Sequence, residues 1–207
     1  MNERRLIHVV DDDDAIRRSA SFMLKMSGFD VEAWPSGVEF LKGVRAARIG
    51  CILLDVRMPE MDGLEVQQEL ADRGVTMPVI ILTGHGDIAL AVRAMKGGAV
   101  DFIEKPFEKT VLLNAIDAAF ARLGDRAGRA ERAHDAATAI AALTKRERDV
   151  LEGLAQGLPN KTIAYDLGIS PRTVEVHRAN VMTKLQVRSL SEALRIAFAA
   201  GLGRDRA

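Results

Sequence analysis

The feature that most constrains this chain is the alternation, repeated five times, of a short apolar run with a segment of helical periodicity. The apolar runs are continuous rather than alternating, which is typical of strands that are covered on both faces of a sheet. Repeated strand–helix units predict an α/β doubly wound, five-stranded parallel sheet with the strand order 2-1-3-4-5. The predicted strands are 6–10, 29–34, 51–56, 78–82 and 100–103, and the predicted helices are 13–25, 38–44, 63–70, 88–95 and 109–122.

The pattern changes in the last third of the chain. Residues 125–142 are rich in Ala and Arg and carry no strand signal, which predicts a partly helical linker. Thr144 and Glu147 then fit a capping box at the start of a helix. Further helices are predicted at 160–167, 171–185 and 189–199. We therefore expect an α/β domain over 1–124 and a small all-α four-helix domain over 143–207.

The net charge of zero hides an asymmetry between the two parts of the chain. Residues 1–124 carry 15 Lys and Arg against 19 Asp and Glu, a balance of −4, whereas residues 125–207 carry 14 against 10, a balance of +4. A basic second part is compatible with a nucleic-acid partner, but a surplus of four charges does not decide this alone.

Cysteine usage and hydropathy bear on where the chain works. A single cysteine, Cys51, cannot form an internal disulfide, and it lies in an apolar run. No apolar run approaches the roughly 20 residues that a bilayer-spanning helix needs. We therefore expect a reduced, cytoplasmic setting and no membrane partner.

Acidic residues follow two of the predicted strands. Asp11 and Asp12 come after the first strand, and Asp55 lies near the end of the third. These two strands are neighbours in the predicted order, so the carboxylates converge at the edge where doubly wound sheets bind their ligands. Clustered carboxylates repel one another without a cation, and oxygen ligands suit a hard ion such as Mg²⁺. The sequence therefore predicts a magnesium site at this edge.

A hydroxyl and an ammonium group follow two further strands. Thr83 follows the fourth strand and Lys105 follows the fifth, and both groups can hold the oxygens of a phosphoryl group. Attack of an aspartate carboxylate on phosphorus would then give an acyl phosphate. The plainer interpretation is that the acidic run 11–14 only favours a helix N-terminus. Four complementary strand ends make that interpretation the weaker one.

Four segments of the first domain resemble the signature segments of response-regulator receiver domains, which have a flavodoxin-like fold. They are VVDDD, LLDVRMPEMDG, ILTGHGD and DFIEKPF. The resemblance implies that Asp55 accepts a phosphoryl group from a sensor histidine kinase. The implied Mg²⁺ ligands are Asp12, Asp55 and the backbone carbonyl of Arg57, with Asp11 acting through water. The implied switch residues are Thr83, Lys105 and Phe102. Many receivers carry Tyr at the last of these positions; because Phe102 has no hydroxyl, the switch here would act by packing.

The second domain has the anatomy of a helix-turn-helix. Gly168 and Ile169 form the predicted turn, and Ser170 followed by Pro171 is a good start for the second helix. The N-terminal turns of a recognition helix face base edges, and flanking residues contact phosphates. The residues predicted to face bases are Arg172, Glu175, Val176 and Ala179. The residues predicted to contact phosphates are Lys161, Thr173, His177, Arg178 and Lys184. A small helical domain that binds protein is the alternative.

The stretch LTKRERDVLEGLAQGLPNKTIAYDLGISPRTVEVHRANVMTKL resembles the LuxR-type DNA-binding domain over roughly residues 140–203. Together with the receiver motifs, it makes nearly the whole chain similar to the FixJ subgroup of response regulators. This resemblance implies a transcriptional activator that binds promoter DNA and acts with RNA polymerase. It also implies a homodimer that forms on phosphorylation, through the face of about residues 87–122.

Two other functions are compatible with parts of the sequence. The receiver could be vestigial and the chain a phosphorylation-independent DNA binder, although the full set of pocket residues argues against this. The acidic start also occurs in aspartate-nucleophile phosphatases of the haloacid dehalogenase type. Those enzymes want Thr or Val just after the second Asp of their motif, where this chain has Ala15, and they lack a helix-turn-helix tail. We therefore expect no enzyme beyond slow self-dephosphorylation.

Overall fold

A computed structural model describes residues 4–84, 88–124 and 129–203 of the chain. Its first part is a five-stranded sheet in which all neighbouring strands are parallel, in the order β2-β1-β3-β4-β5. The strands are β1 (Leu6–Val10), β2 (Asp30–Trp34), β3 (Cys51–Asp55), β4 (Val79–Thr83) and β5 (Asp101–Glu104). The predicted α/β class and strand order are confirmed.

Helices alternate with these strands, as predicted. They are α1 (Asp14–Met26), α2 (Gly37–Gly43), α3 (Gly63–Asp72), α4 (Ile88–Lys96) and α5 (Lys109–Gly124). Polar caps set where they begin. The side chain of Asp13 accepts from the backbone amides of Ala15 and Ile16, so α1 starts one residue later than predicted. Asp62 and Glu65 form a capping box at the start of α3.

The central strands are buried because helices cover both faces of the sheet. Every residue of β1, β3 and β4 is buried, whereas the edge strands β2 and β5 are partly exposed. A core cluster on one face joins residues such as Leu24 of α1, Leu53 of β3 and Ile116 of α5. Burying each such side chain contributes about 1.5–3 kcal/mol. This packing holds the strands in place and so fixes the positions of the strand ends at the candidate site.

The C-terminal part contains only helices among its described residues. They are α6 (Arg129–Ala141), α7 (Lys145–Ala155), α8 (Asn160–Leu167), α9 (Pro171–Lys184) and α10 (Leu190–Ala199). Val150 and Leu154 of α7 pack with Ile163 and Ala164 of α8 and Val174 of α9. These contacts hold the two helices of the predicted helix-turn-helix together.

The segment predicted as a partly helical linker contains a helix that packs against another helix. Most of it forms α6, which contacts α10 and buries Ala136 and Ile140. An Ala-rich segment predicts helix by propensity, but one alanine and one isoleucine give little signal of packing.

By internal contacts the chain divides into two compact units. One comprises Met1–Gly86 and Gly97–Asp125, and the other comprises Asp87–Lys96 and Arg126–Ala207, so α4 groups with the C-terminal helices. The boundaries at 124 and 142 therefore stay a prediction. No helix of the described residues is both long enough and apolar enough to cross a bilayer.

Candidate functional site

Three carboxylates meet at the carboxyl edge of the sheet. Asp11 and Asp12 follow β1 and Asp55 ends β3, and each offers an oxygen within 4.8 Å of the other two. Asp11 and Asp55 are almost completely buried, with 2% and 6% of their surface exposed, whereas Asp12 is exposed. An oxygen-only donor set at this spacing fits a hard divalent cation, and the exposed Asp12 leaves it a path from solvent.

Lys105 bridges two of these carboxylates. Its Nζ lies 2.6 Å from Asp11 Oδ2 and 2.6 Å from Asp55 Oδ1. Its backbone amide donates to the carbonyl of Thr83 over 2.6 Å, which joins the end of β4 to the segment after β5. The peptide between Lys105 and Pro106 is cis. Residues 50 to 94 positions apart in the chain thus form one polar cleft.

Burial and charge oppose each other in this cleft. Loss of water raises the pKa of Asp55, the hydrogen bond from Lys105 acts in the opposite direction, and the charges of Asp11 and Asp12 add to the rise. Burial acts to lower the pKa of Lys105, but hydrogen bonds to Asp11 and Asp55 outweigh it and raise that pKa. The cleft therefore favours a bound cation, which would relieve the repulsion among the carboxylates.

The start of α3 packs closely against the backbone of Asp55. The amide of Gly63 donates to the carbonyl of Val56 over 2.8 Å. A Cβ on Gly63 would lie 2.1 Å from the carbonyl oxygen of Asp55, so no other residue fits without moving the backbone. This glycine belongs to the LLDVRMPEMDG segment, but the sequence alone gave no reason for it.

The other predicted pocket residues lie nearby with different exposure. Thr83 is buried at the end of β4, directly after Leu82, which pairs with Asp55 in the sheet. Phe102 is half-buried in β5, and Arg57 is exposed two residues beyond Asp55. Their switch and ligand roles stay predictions. The rest of the ILTGHGD segment, residues 85–87, lies outside the described residues.

The C-terminal unit has the predicted helix-turn-helix geometry. Helix α8 ends at Gly168, which has a left-handed backbone (φ 66°) that glycine adopts at little cost. Ser170 caps α9 by accepting from the amide of Thr173, and Pro171 occupies the first turn. The residues predicted to face bases, namely Arg172, Glu175, Val176 and Ala179, are all exposed on α9. Their spacing along α9 places these four side chains on one exposed face of the helix.

The candidate phosphate contacts differ in their exposure and in their partners within the protein. Lys161 is exposed, but Thr173 shares a 2.8 Å hydrogen bond with Ser170, and Arg178 donates to Asn160 over 3.1 Å. The Nδ1 atom of His177 is buried and has no hydrogen-bond partner among the described residues. Contact of these side chains with DNA stays a prediction.

Lys184 has an internal partner that the sequence did not reveal. Its Nζ lies 2.7 Å from Glu147 Oε2, and only 38% of its side chain is exposed. Glu147 is 4% exposed and also accepts from the amide of Thr144 in the predicted capping box. Nothing in the spacing of Glu147 and Lys184 signals this pair, because it depends on how α7 and α9 cross.

Comparison with protein families agrees with both parts of this architecture. The response regulator receiver domain family matches residues 7–117, and the luxR family of bacterial regulatory proteins matches residues 141–197. The first match alone covers more than half of the chain.

Full-length relatives share both domains. The transcriptional regulatory protein FixJ of Azorhizobium caulinodans is 50% identical over 98% of this chain and 96% of its own length. The response regulator protein TodT of Pseudomonas putida is 42% identical over 92% and 84%. Full-length FixJ from B. japonicum, a solved structure, is 47% identical over 95% of this chain and 97% of its own, with a TM-score of 0.58.

The chain belongs to the FixJ subgroup of two-component response regulators. Its function is therefore phosphorylation-dependent regulation of transcription, and its family is one of regulators rather than enzymes. The phosphatase interpretation of the acidic start is thereby set aside. Receiver domains hold a divalent cation in their acidic pocket, and the donor set of Asp11, Asp12 and Asp55 fits one.

Proposed function

We propose that this regulator accepts a phosphoryl group on Asp55 from a sensor histidine kinase and then binds promoter DNA as a homodimer in the cytoplasm. The observation that carries the proposal is the meeting of Asp11, Asp12, Asp55 and Lys105 in one cleft, on a chain that also carries a helix-turn-helix. The proposed cation is Mg²⁺, with the backbone carbonyl of Arg57 as a further ligand and Asp11 acting through water.

The chemistry follows from the groups in the cleft. A carboxylate oxygen of Asp55 attacks phosphorus, the bond from phosphorus to the kinase histidine nitrogen breaks, and its electron pair stays on the imidazole. A bound Mg²⁺ supplies positive charge that offsets the growing negative charge on the phosphoryl oxygens. Lys105, already 2.6 Å from Asp55, and the hydroxyl of Thr83 then hold those oxygens.

A change in side-chain packing carries the signal from the cleft to the surface of the receiver. Thr83 moves towards the new phosphoryl group, and Phe102, half-buried in β5, fills the space that it leaves. This remodels the face of residues 87–122, through which two receivers pair; residue 87 lies outside the described residues. Pairing sets two α9 helices at the spacing of a two-fold DNA site. As a proposed activator, the bound dimer then contacts RNA polymerase.

Recognition of DNA is assigned to α8 and α9. The proposed base-reading residues are Arg172, Glu175, Val176 and Ala179, and the proposed phosphate contacts are Lys161, Thr173, His177 and Arg178. Lys184 is left out of the second group because its ammonium is paired with Glu147. The exposure of all four base-reading side chains supports the first group. Glu175 accepts from cytosine and repels phosphate, so it sharpens sequence choice at one base pair.

Treatment of the full chain with acetyl phosphate and Mg²⁺ tests the proposal. We expect one acyl phosphate per chain by intact mass, together with a shift from monomer to dimer by light scattering. Asp55→Asn and removal of Mg²⁺ with a chelator should each abolish both changes. Asp72→Asn is the matched control, because Asp72 is an exposed aspartate at the end of α3.

A vestigial receiver gives a different result. Promoter occupancy would then be equal for the wild type and Asp55→Asn, with or without acetyl phosphate. Modification of an aspartate other than Asp55 would equally refute the assigned acceptor.

A further inference from the structure

Arg17 of α1 reaches back to the turn that carries two of the pocket carboxylates. Its Nη1 donates to the backbone carbonyl of Asp11 over 2.7 Å, and its Nη2 lies 3.2 Å from Asp14 Oδ1. Only 15% of the Arg17 side chain is exposed. A guanidinium this deeply buried is costly unless its donors are satisfied, and here one partner is the backbone of a pocket residue.

The turn between β1 and α1 is short, and several of its contacts involve Asp11. The amide of Asp13 donates to Asp11 Oδ1 over 2.9 Å, and the amide of Asp11 donates to the carbonyl of Trp34 over 3.3 Å. Lys105 binds the other carboxylate oxygen of Asp11. Arg17 also donates a hydrogen bond to the Asp11 carbonyl, which links the main chain between Asp11 and Asp12 to α1.

We propose that Arg17 is a positioning residue for the cation site: by fixing the Asp11 carbonyl, it sets the direction in which Asp11 and Asp12 present their carboxylates. The inference rests on the proposed metal site. It assigns to Arg17 no contact with the cation or with the phosphoryl group.

The charge of Arg17 makes this role separable from a plain electrostatic one. A cation beside the pocket repels a divalent ion, so removing the charge alone strengthens metal binding. Removing a group that orients the ligands weakens metal binding, typically by 10- to 100-fold where such supporting contacts have been mutated. The two roles therefore predict changes of opposite sign.

The neighbouring residue Arg18 provides a matched control. It carries the same charge on the same helix and lies 2.7 Å from Asp14, the second partner of Arg17. It is 76% exposed, and in the described part of the chain it makes no hydrogen bond with Asp11. A change that removes Arg18 therefore removes charge near the pocket without touching the turn.

The test is a Mn²⁺ titration of the full chain, with the free ion followed by electron paramagnetic resonance. Arg17→Met keeps the aliphatic stem and removes the donors, Arg17→Lys keeps the charge and a donor, and Arg18→Met is the control. We expect roughly tenfold weaker Mn²⁺ binding in Arg17→Met, partial recovery in Arg17→Lys, and unchanged or tighter binding in Arg18→Met. Circular dichroism of each variant reports whether it is folded.

Several outcomes would overturn the inference. Binding by Arg17→Met as tight as that of the wild type, or tighter, would leave Arg17 with an electrostatic role alone. Equally weaker Mn²⁺ binding in Arg18→Met would show that the effect does not depend on the contact with Asp11. Loss of the folded state in Arg17→Met would make Arg17 a residue of fold stability. If the wild type itself bound no Mn²⁺, the proposed metal site would fail and this inference with it.

Discussion

Gly63 shows how closely the backbone surrounds the proposed acceptor. A methyl group at this position would lie 2.1 Å from the Asp55 carbonyl oxygen and 2.9 Å from its carbonyl carbon. Backbone atoms cannot rotate away as a side chain can, so we expect Gly63→Ala to lower the free energy of unfolding by about 1–3 kcal/mol. The same shift should slow acyl-phosphate formation on Asp55, measured by intact mass after timed exposure to acetyl phosphate.

Gly84→Ala is the control for this substitution. Among the residues that the structure describes, its Cβ would meet nothing within 4 Å, so the free energy of unfolding should stay as in the wild type. Wild-type stability in Gly63→Ala, measured by urea denaturation, would show that α3 can move away from Asp55.

Glu147 is a buried charged residue of the C-terminal unit. The hydrogen bond from Lys184, followed by that from the Thr144 amide, lowers the pKa of Glu147 to about 2. We expect Glu147→Gln to lower the free energy of unfolding at pH 7 by roughly 1–3 kcal/mol, because the amide keeps the cap but loses the charge-assisted bond. Urea denaturation followed by helical circular dichroism measures the difference, and exposed Glu175→Gln is the control.

The pH dependence of this difference has a defined sign. The pKa of Glu147 is lower in the folded protein than its ordinary value of 4.5, so its stabilisation is complete above pH 4.5 and is lost as pH falls towards 2. The gap between the wild type and Glu147→Gln should thus be constant from pH 5 to 7 and narrow below about pH 4.5. A gap that widened on acidification would contradict the assignment of the shift to the charged carboxylate.

At the scale of elements, the sequence predicted what depends on local pattern. Continuous apolar runs identified the strands, and the positions of Asp11, Asp55 and Lys105 at strand ends were enough to place them in one cleft. The sheet order supplies the long-range information, because parallel strands bring their carboxyl ends to one edge whatever the chain separation.

Other features could not be predicted because they depend on how elements pack. The docking of α6 through Ala136 and Ile140 leaves only a weak hydrophobic pattern, since one Ile among alanines hardly marks a buried helix face. Lys184 and Glu147 are 37 residues apart in the chain, and their pairing depends on how α7 and α9 cross. A basic residue near a recognition helix suggests a phosphate contact by composition, so the internal partner was missed.

Two lysines of the helix-turn-helix allow a phosphate contact to be distinguished from an internal ion pair. Lys161 is exposed at the start of α8, whereas Lys184 is paired with Glu147. Loss of one phosphate contact lowers the slope of log K against log salt by about 0.9. We expect Lys161→Ala to lower the slope by this amount and Lys184→Ala chiefly to lower the free energy of unfolding. Fluorescence anisotropy with promoter DNA across salt concentrations measures the slope. A slope lowered by about 0.9 in Lys184→Ala would show that Lys184 does contact a phosphate.

At the scale of the whole molecule, the chain joins a receiver domain to a LuxR-type DNA-binding domain. Phosphorylation could act by pairing two receivers or by releasing a DNA-binding domain that the receiver masks. Pairing links two binding events on one DNA, so it raises affinity only where two half-sites can be occupied together. Release raises the affinity of each domain for any site. DNA length and half-site number therefore distinguish the two.

We expect pairing, and hence a gain that depends on half-site number. Acetyl phosphate should raise the affinity of the full chain on the order of 100-fold for DNA with two half-sites about 10 base pairs apart, because the second contact becomes intramolecular. DNA with a single half-site should show little gain, and Asp55→Asn should show none with either DNA. Gel-shift titrations at fixed salt measure these affinities with and without acetyl phosphate. Equal gains on one and two half-sites would mean that phosphate acts by unmasking, since a free recognition helix needs no second copy to bind.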